Sequence, residues 1–474
     1  MKKYFLAVAS FFIYSHISLG QVYPGQMDST FVPVRSHHYD PELTFDFCVN
    51  EPAWSNQAGI HSAFGSTDRL YFRKEVPVNH DNDLSSSYST TVWRGERANA
   101  QILVWSSEAL EQVRVSTQDL RSAEGNIIPK DRITFELVRY VLSNYPYAEK
   151  KAICGESPYK SGFLMPDRFE TLDRFDLPSQ TTRPVWMMVD VPRGTVPGTY
   201  KGQVEVRAKG KAPQLLNLEI VVQNQLLPYP KDWKYRLDLW QNPWAVAWYN
   251  HVEPWSPEHK MLLKQHLKHY ADAGGTYITT YGVHSPWSDN SYMIEGGMIE
   301  WIKKADGTWA FDYKIFDEYV ELAMECGIDE AITLYTPIPW GFRHRYKDEA
   351  TGDYSYINWA PSSEEFKKMW NIFLTDFKFH LEAKSWLDIT YIGINENPME
   401  ETLAAINVVR NHDKCWKITY AGNWHKELDG LLDDYSFLYG EEPTIAEQKA
   451  RAATGRTSTV YVCLSLIHIS EPTR

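Results

Sequence analysis

The chain has 474 residues, 61 of them acidic and 48 basic, a formal net charge of −13, and 43% hydrophobic residues. This composition excludes wholesale disorder, and at roughly 150 residues per domain it allows two or three domains. The acidic balance and the lack of long Lys/Arg runs argue against nucleic acid or an anionic membrane as partner. No apolar run reaches the roughly 18 residues that a spanning helix needs.

The N-terminus predicts an export signal over 1–20. Lys2 and Lys3 precede an apolar run from Tyr4 to Tyr14, and Ser18, Leu19 and Gly20 supply small residues before Gln21. The protein is therefore expected to be exported, to the periplasm or the cell exterior. Cys48, Cys154, Cys326, Cys415 and Cys463 are widely spaced, with neither a disulfide framework nor zinc spacing.

Residues 21–230 read as an all-β sandwich. Segments such as 90–93, 101–105, 183–191 and 202–206 alternate apolar and polar residues between Gly, Pro and Asn turns. Residues 191–200 read as a tight connection between two strands, and 226–230, with Pro228 and Pro230, as a stiff linker. From 231 to 463 the pattern changes to alternating strands and helices. Strands are predicted over 235–241, 277–283, 328–335, 387–394, 417–421, 435–439 and 457–463. Helices are predicted over 256–273, 312–326, 362–381, 400–410 and 445–453. Seven strands in a βα series predict a TIM-type (β/α)8 barrel, incomplete at its C-terminus. Residues 464–474 read as a non-native tail.

In such a barrel the chemistry sits at the carboxyl ends of the strands. The first end carries Asp238, Trp240 and Trp244; the second His284 and Trp287; the third Tyr335 and Trp340. The fourth carries Asn395 and Glu396, the fifth Trp424 and the sixth Glu441 and Glu442. A ring of Trp and Tyr around one or two carboxylates suits a glycosidase: the rings hold sugar and an acid protonates the leaving oxygen. The plainer alternative is that Trp and Pro only close loops. Trp240, His284, Trp287, Tyr335, Trp340 and Trp424 are the candidate sugar-binding wall, with core or rim packing as the competing reading for each. Asp238 would hydrogen-bond a sugar hydroxyl or merely cap the first loop. His266 and His269 lie three apart on a helix, but no third ligand is near, so a solvated helix face is expected rather than a metal site. His37–His38 carries no signal, and no cofactor fingerprint appears.

Several of these stretches resemble glycoside hydrolase family 123. They are 237–247 at the first strand, 298–309 with Phe311-Asp312-Tyr313, Pro339-Trp340-Gly341, and 391–398 with Asn395-Glu396-Asn397-Pro398. The resemblance spans roughly 25–463 and includes an N-terminal β-sandwich. It implies an exo-acting β-N-acetylgalactosaminidase acting on a glycan or glycolipid with a terminal N-acetylhexosamine, without a cofactor. The implied mechanism retains configuration by substrate assistance: the 2-acetamido oxygen is the nucleophile, a Glu is general acid then base, and a preceding Asp orients and charge-stabilises the acetamido N–H.

Glu396 falls on the family's Glu, and its implied state is a carboxylic acid kept protonated by aromatic surroundings. A structural ion pair is the competing reading. At 395 the chain departs from the family, with Asn in place of Asp. Asn can accept one hydrogen bond from an acetamido N–H but brings no negative charge. The departure is compatible with a weak or inactive relative that only binds glycan, with a substitution in the sequence, or with another mechanism. In the last case Asn395-Glu396 resembles the acid/base of two-carboxylate retaining glycosidases, which need a nucleophilic Glu near the end of the seventh strand. Glu441 and Glu442 are poor substitutes by strand count.

Overall fold

A computed structural model describes residues 51–77, 84–143, 163–171, 173–287 and 296–461. The expected leader at 1–20, the tail at 464–474, His37–His38, Cys48, Cys154 and Cys463 lie outside these residues. The chain divides into two compact units, Met1–Leu227 and Pro228–Arg474.

The first unit is mostly β. One antiparallel sheet runs in the order His61–Gly65, Arg97–Ser106, Thr181–Asp190, Ile133–Ser143, Phe163–Thr171. A second runs Ser87–Arg94, Gln214–Leu226, Gly198–Arg207, Leu110–Thr117, Phe175–Leu177. Alternation explains their packing. Ile102 and Val104 from the first sheet and Val113, Val204 and Ile220 from the second are fully enclosed in a single apolar core. The 191–197 turn carries the chain from one sheet to the other.

The second unit centres on six parallel strands paired in sequence order: β1 (Tyr277–Tyr281), β2 (Ala331–Tyr335), β3 (Thr390–Ile394), β4 (Lys417–Gly422), β5 (Asp434–Leu438) and β6 (Thr457–Tyr461). These are the second to seventh strands expected from the sequence. Every residue of β1 and β2 is buried, as both faces of a helix-covered parallel sheet require. The long helices between and before them are α1 (Pro257–Asp272), α2 (Lys314–Glu325), α3 (Glu364–Lys384), α4 (Met399–His412) and α5 (Ile445–Ala453). Their starts are written in the sequence. Ser256 accepts from the His259 N–H with Pro257 in the first turn, Ser363 accepts from the Phe366 N–H, and Thr444 with Glu447 closes a capping box. Helix α3 buries Phe366, Trp370, Phe373, Phe377 and Leu381 along one face.

One expectation is met in part and another needs correction. The sheet is a half-barrel among the described residues: β1 and β6 are its two ends and do not pair. The first predicted strand, 235–241, is reduced to one bridge between Leu237 and Gly275. Side chains replace its ladder. Gln241 Oε1 accepts from the Thr279 N–H at 2.9 Å, and the Tyr270 hydroxyl donates to the Leu237 carbonyl at 2.8 Å. The Tyr281 hydroxyl donates to the Gln241 carbonyl at 2.9 Å. The Leu237 and Gln241 carbonyls are satisfied in this way, and the rest of the segment is largely exposed to water.

The sequence reading also passed over a four-stranded sheet, ordered Trp309–Asp312, Glu300–Lys303, Arg343–Asp348, Tyr354–Asn358. Its first hairpin turns at Asp306-Gly307, with Gly307 at φ +85, a left-handed conformation in which glycine alone carries no Cβ penalty. Trp301 anchors this sheet in the core. It stacks on Phe373 of α3 at 4.7 Å between ring centroids and donates from its indole N–H to the Gly282 carbonyl at 2.9 Å.

Candidate active site

The loops that leave the carboxyl ends of β1, β2 and β3 are tied together by hydrogen bonds converging on Pro286. Its carbonyl accepts from the Trp340 N–H at 2.9 Å and from Asn395 Nδ2 at 3.4 Å. Asn397 Nδ2 donates to the Ile338 carbonyl at 3.2 Å. The second, third and fourth predicted strand ends therefore meet in space.

Against this knot stands an aromatic wall. Trp240 stacks on Trp287 at 5.5 Å and 24°, and both rings lean on Tyr335, at 4.9 Å and 5.3 Å. Tyr335 and Trp287 are buried, whereas Trp240 is 48% exposed, so the wall offers one open indole face to solvent. Three predicted wall residues are thus brought together. Trp340 is half-buried on the same loop knot. Trp424 belongs to a separate group, packing on Tyr435 at 5.5 Å and Phe437 at 5.6 Å.

His284 is half-buried beside Ser285, whose N–H donates to the Gly296 carbonyl. Loss of hydration, reinforced by the charges of Arg345 and Arg343, holds it down at about 4. Its imidazole is neutral near pH 7 and can give and take one hydrogen bond each.

Asp238 is exposed as a residue and close enough to Tyr335 for its charge to act on that hydroxyl, yet protein crowds its carboxyl. That crowding withdraws hydration from the charge, the Asp434 carboxylate opposes it as well, and the group is pushed up to about 7. Asp434, at the start of β5, is buried. Its Oδ2 accepts from the Thr419 hydroxyl at 3.3 Å, while Oδ1 is enclosed without a hydrogen-bond partner, and burial raises its pKa. An acid whose folded value exceeds its ordinary 3.8 holds its proton more tightly folded than unfolded. Stability is then lost as pH climbs from about 4 to about 7 and is level above that. Asp238→Asn is expected to shrink the difference between urea midpoints measured at pH 5 and pH 8. An unchanged difference would move the source elsewhere.

Asn395 and Glu396 leave the end of β3 in opposite circumstances. Asn395 is 3% exposed; its Nδ2 faces the Pro286 carbonyl, and its Oδ1 is buried with no partner. The carbonyl opposite fixes the amide orientation, since a flipped amide would set oxygen against oxygen. Glu396 is exposed. The enclosure by aromatic rings expected from the sequence is therefore not found around it. Instead the Tyr461 hydroxyl donates to Glu396 Oε1 at 2.9 Å, and Tyr420 and Tyr435 lie near enough for its charge to raise their pKa values. Among the described residues no Lys or Arg forms an ion pair with it, so the structural ion-pair reading has no partner.

Sequence reasoning missed Tyr461, Asp434 and Tyr435. The signal for Tyr461 was available: it lies near the carboxyl end of the seventh predicted strand, 457–463, where inward side chains reach the mouth of a βα series. Glu441 sits exposed and Glu442 half-buried after β5. Among the described residues no cluster of His, Cys, Asp and Glu could hold a metal ion, and no helix is long and apolar enough to cross a membrane. Cys326 and Cys415 are free thiols.

Residues 240–469 match the family model for the glycoside hydrolase 123 catalytic domain, and residues 64–208 that for the glycoside hydrolase 123 N-terminal domain. Among solved structures, the chain is similar to a family 123 glycoside hydrolase from Clostridium perfringens, studied for glycolipid glycan hydrolysis. The TM-score is 0.75 at 24% identity, over 86% of this chain and 72% of that one, a likeness of fold. A family 39 glycoside hydrolase from Bacteroides cellulosilyticus WH2 aligns at 12% identity with a TM-score of 0.26, over 70% of this chain and 56% of that one, too low to carry an argument. No curated protein matches the chain.

Proposed function

The chain belongs to glycoside hydrolase family 123 and is a glycoside hydrolase, and from that premise we propose that it removes terminal β-linked N-acetylgalactosamine from glycans or glycolipids. The reaction retains configuration by substrate assistance. The acetamido oxygen attacks the anomeric carbon as Glu396 protonates the departing oxygen; an oxazolinium forms; Glu396 then takes a proton from the water that opens it. Trp240, backed by the buried Trp287 and Tyr335, offers the sugar a stacking face, and a hexose seated beside Trp424 would cover Glu396 and remove its water. Asp238, His284 and Trp340 complete the proposed binding set. The half-barrel is read as part of a (β/α)8 barrel, and the leader at 1–20 as directing export to the periplasm or the cell exterior.

The observation that carries this reading is Asn395. A buried amide oxygen without a partner, one residue from a solvent-facing carboxylate, is the acceptor that an acetamido N–H requires. A two-carboxylate mechanism is the weaker reading, because both family models that match are those of family 123.

The test is hydrolysis of an aryl N-acetyl-β-galactosaminide against the matched aryl β-galactoside. Turnover of the acetamido substrate is expected to exceed that of the hydroxyl analogue by at least about 10²-fold, since only the former carries its own nucleophile. Equal rates would refute substrate assistance.

A further inference from the structure

The hairpin formed by Arg343–Asp348 and Tyr354–Asn358 has two unlike faces. His344 points inward, fully enclosed against Trp301, Trp359 and Trp370, and Tyr346 packs on Trp309. The alternate residues Arg343, Arg345 and Lys347 share the other face, as the two-residue period of a strand dictates. Across the pair they stand beside Tyr354 and Tyr356.

The stacking is diagonal and ordered. The Arg343 guanidinium lies 3.7 Å from the Tyr356 ring centroid and that of Arg345 4.2 Å from the Tyr354 centroid. Stacking holds each guanidinium plane by its face and leaves its N–H edge free to donate. Arg345 Nε is enclosed without a hydrogen-bond partner, and its Nη2 forms a long ion pair with the Glu300 carboxylate at 3.9 Å. Glu300 already accepts from the Tyr354 hydroxyl at 3.1 Å. Arg343 is exposed and makes no ion pair among the described residues.

The hairpin also stands beside the proposed active site. Arg343 directly follows the Trp340–Phe342 turn, which hangs from Pro286, and the charges of both arginines reach His284 at the end of β1. Two guanidiniums held by stacking at the rim of a sugar-binding mouth, Arg343 exposed and Arg345 only loosely paired with Glu300, form a fork for a planar or tetrahedral anion.

We propose that Arg343 and Arg345 form a subsite for an acidic group, a carboxylate or sulfate, carried on the glycan just beyond the scissile bond. The proposal deepens the hydrolytic reading and rests on it: it names the leaving-group side of the substrate as anionic.

Two disaccharides separate the claims, N-acetyl-β-galactosaminyl-(1→4)-glucuronic acid and its neutral counterpart ending in glucose. The wild-type chain is expected to cleave the acidic one with a kcat/KM about 10-fold higher at low ionic strength, a preference that fades with added salt. In Arg343→Gln/Arg345→Gln the ratio falls to about one while the neutral substrate is cleaved as before. Arg345→Lys, which keeps the charge but loses the planar fork, is expected to fall between. A ratio at or below one in the wild type, or one that survives in the double variant, overturns the proposal. Calorimetry of Glu396→Gln with the same two sugars reads the preference without turnover. Tighter binding of the acidic sugar supports the subsite even if neither is cleaved, an outcome that would count against the hydrolytic reading alone. Equal binding, or none, overturns it.

Discussion

Glu396→Gln is expected to lower kcat on glycosides with poor, alkyl leaving groups by about 10²–10⁴-fold, the range typical of a lost general acid. Glutamine cannot protonate the departing oxygen. The loss should shrink for an aryl substrate whose leaving group departs unaided. Folding should be untouched, because the side chain is exposed and the glutamine carbonyl can still accept from the Tyr461 hydroxyl. The melting transition therefore serves as the internal control. Wild-type turnover on an alkyl N-acetyl-β-galactosaminide would remove Glu396 from the reaction.

The second large effect runs the other way. Asn395→Asp is expected to raise kcat on N-acetyl substrates by about 10²–10³-fold, because a fixed negative charge in a water-poor site stabilises the developing oxazolinium. A substrate with a 2-hydroxyl in place of the acetamido group should gain nothing. The same substitution should lower stability. The carboxylate loses the N–H that Asn395 offers the Pro286 carbonyl and sets oxygen against oxygen in a position only 3% exposed. Losing a buried partner of this kind costs about 1–3 kcal/mol, a few degrees of melting temperature in a domain of this size. A faster and less stable variant is the signature. A rate that does not rise would mean that the wild-type amide is not the substrate's acetamido partner.

The sequence reveals what local chemistry decides. Ser256-Pro257, Ser363 and Thr444 with Glu447 mark helix starts because caps act within one turn. Strands such as Ala331–Tyr335 and Thr390–Ile394 are visible because burial favours runs of β-branched, aliphatic and aromatic residues. Trp240, Trp287 and Tyr335 could be grouped because strand ends in a βα series share one side of the sheet. Their stacking, however, depends on ring directions, which no spacing encodes. The four-stranded insert is legible in principle, since Asp306-Gly307 and Thr351-Gly352-Asp353 are turn sequences between aromatic segments, but its strands are only four to six residues long and too short for a clear alternation. The exposure of Glu396 was not legible: position along a strand says where a side chain emerges and nothing about what covers it. The partner that meets it, Tyr461, comes from 65 residues away in the chain.

The Trp301 anchor has a consequence for how a ligand would meet this molecule. Trp301 is clamped between Phe373 and Phe311, and the enclosed His344 accepts from the Trp370 indole N–H at 3.3 Å. The insert thus shares side chains with α3 and melts only when the domain core melts. Its outward rim is held in place before any sugar arrives. The configurational entropy of that rim is surrendered once, when the chain folds, and not again at each encounter. Recognition there should behave as a rigid lock, with a fast on-rate and no ordering step visible in the heat capacity of association.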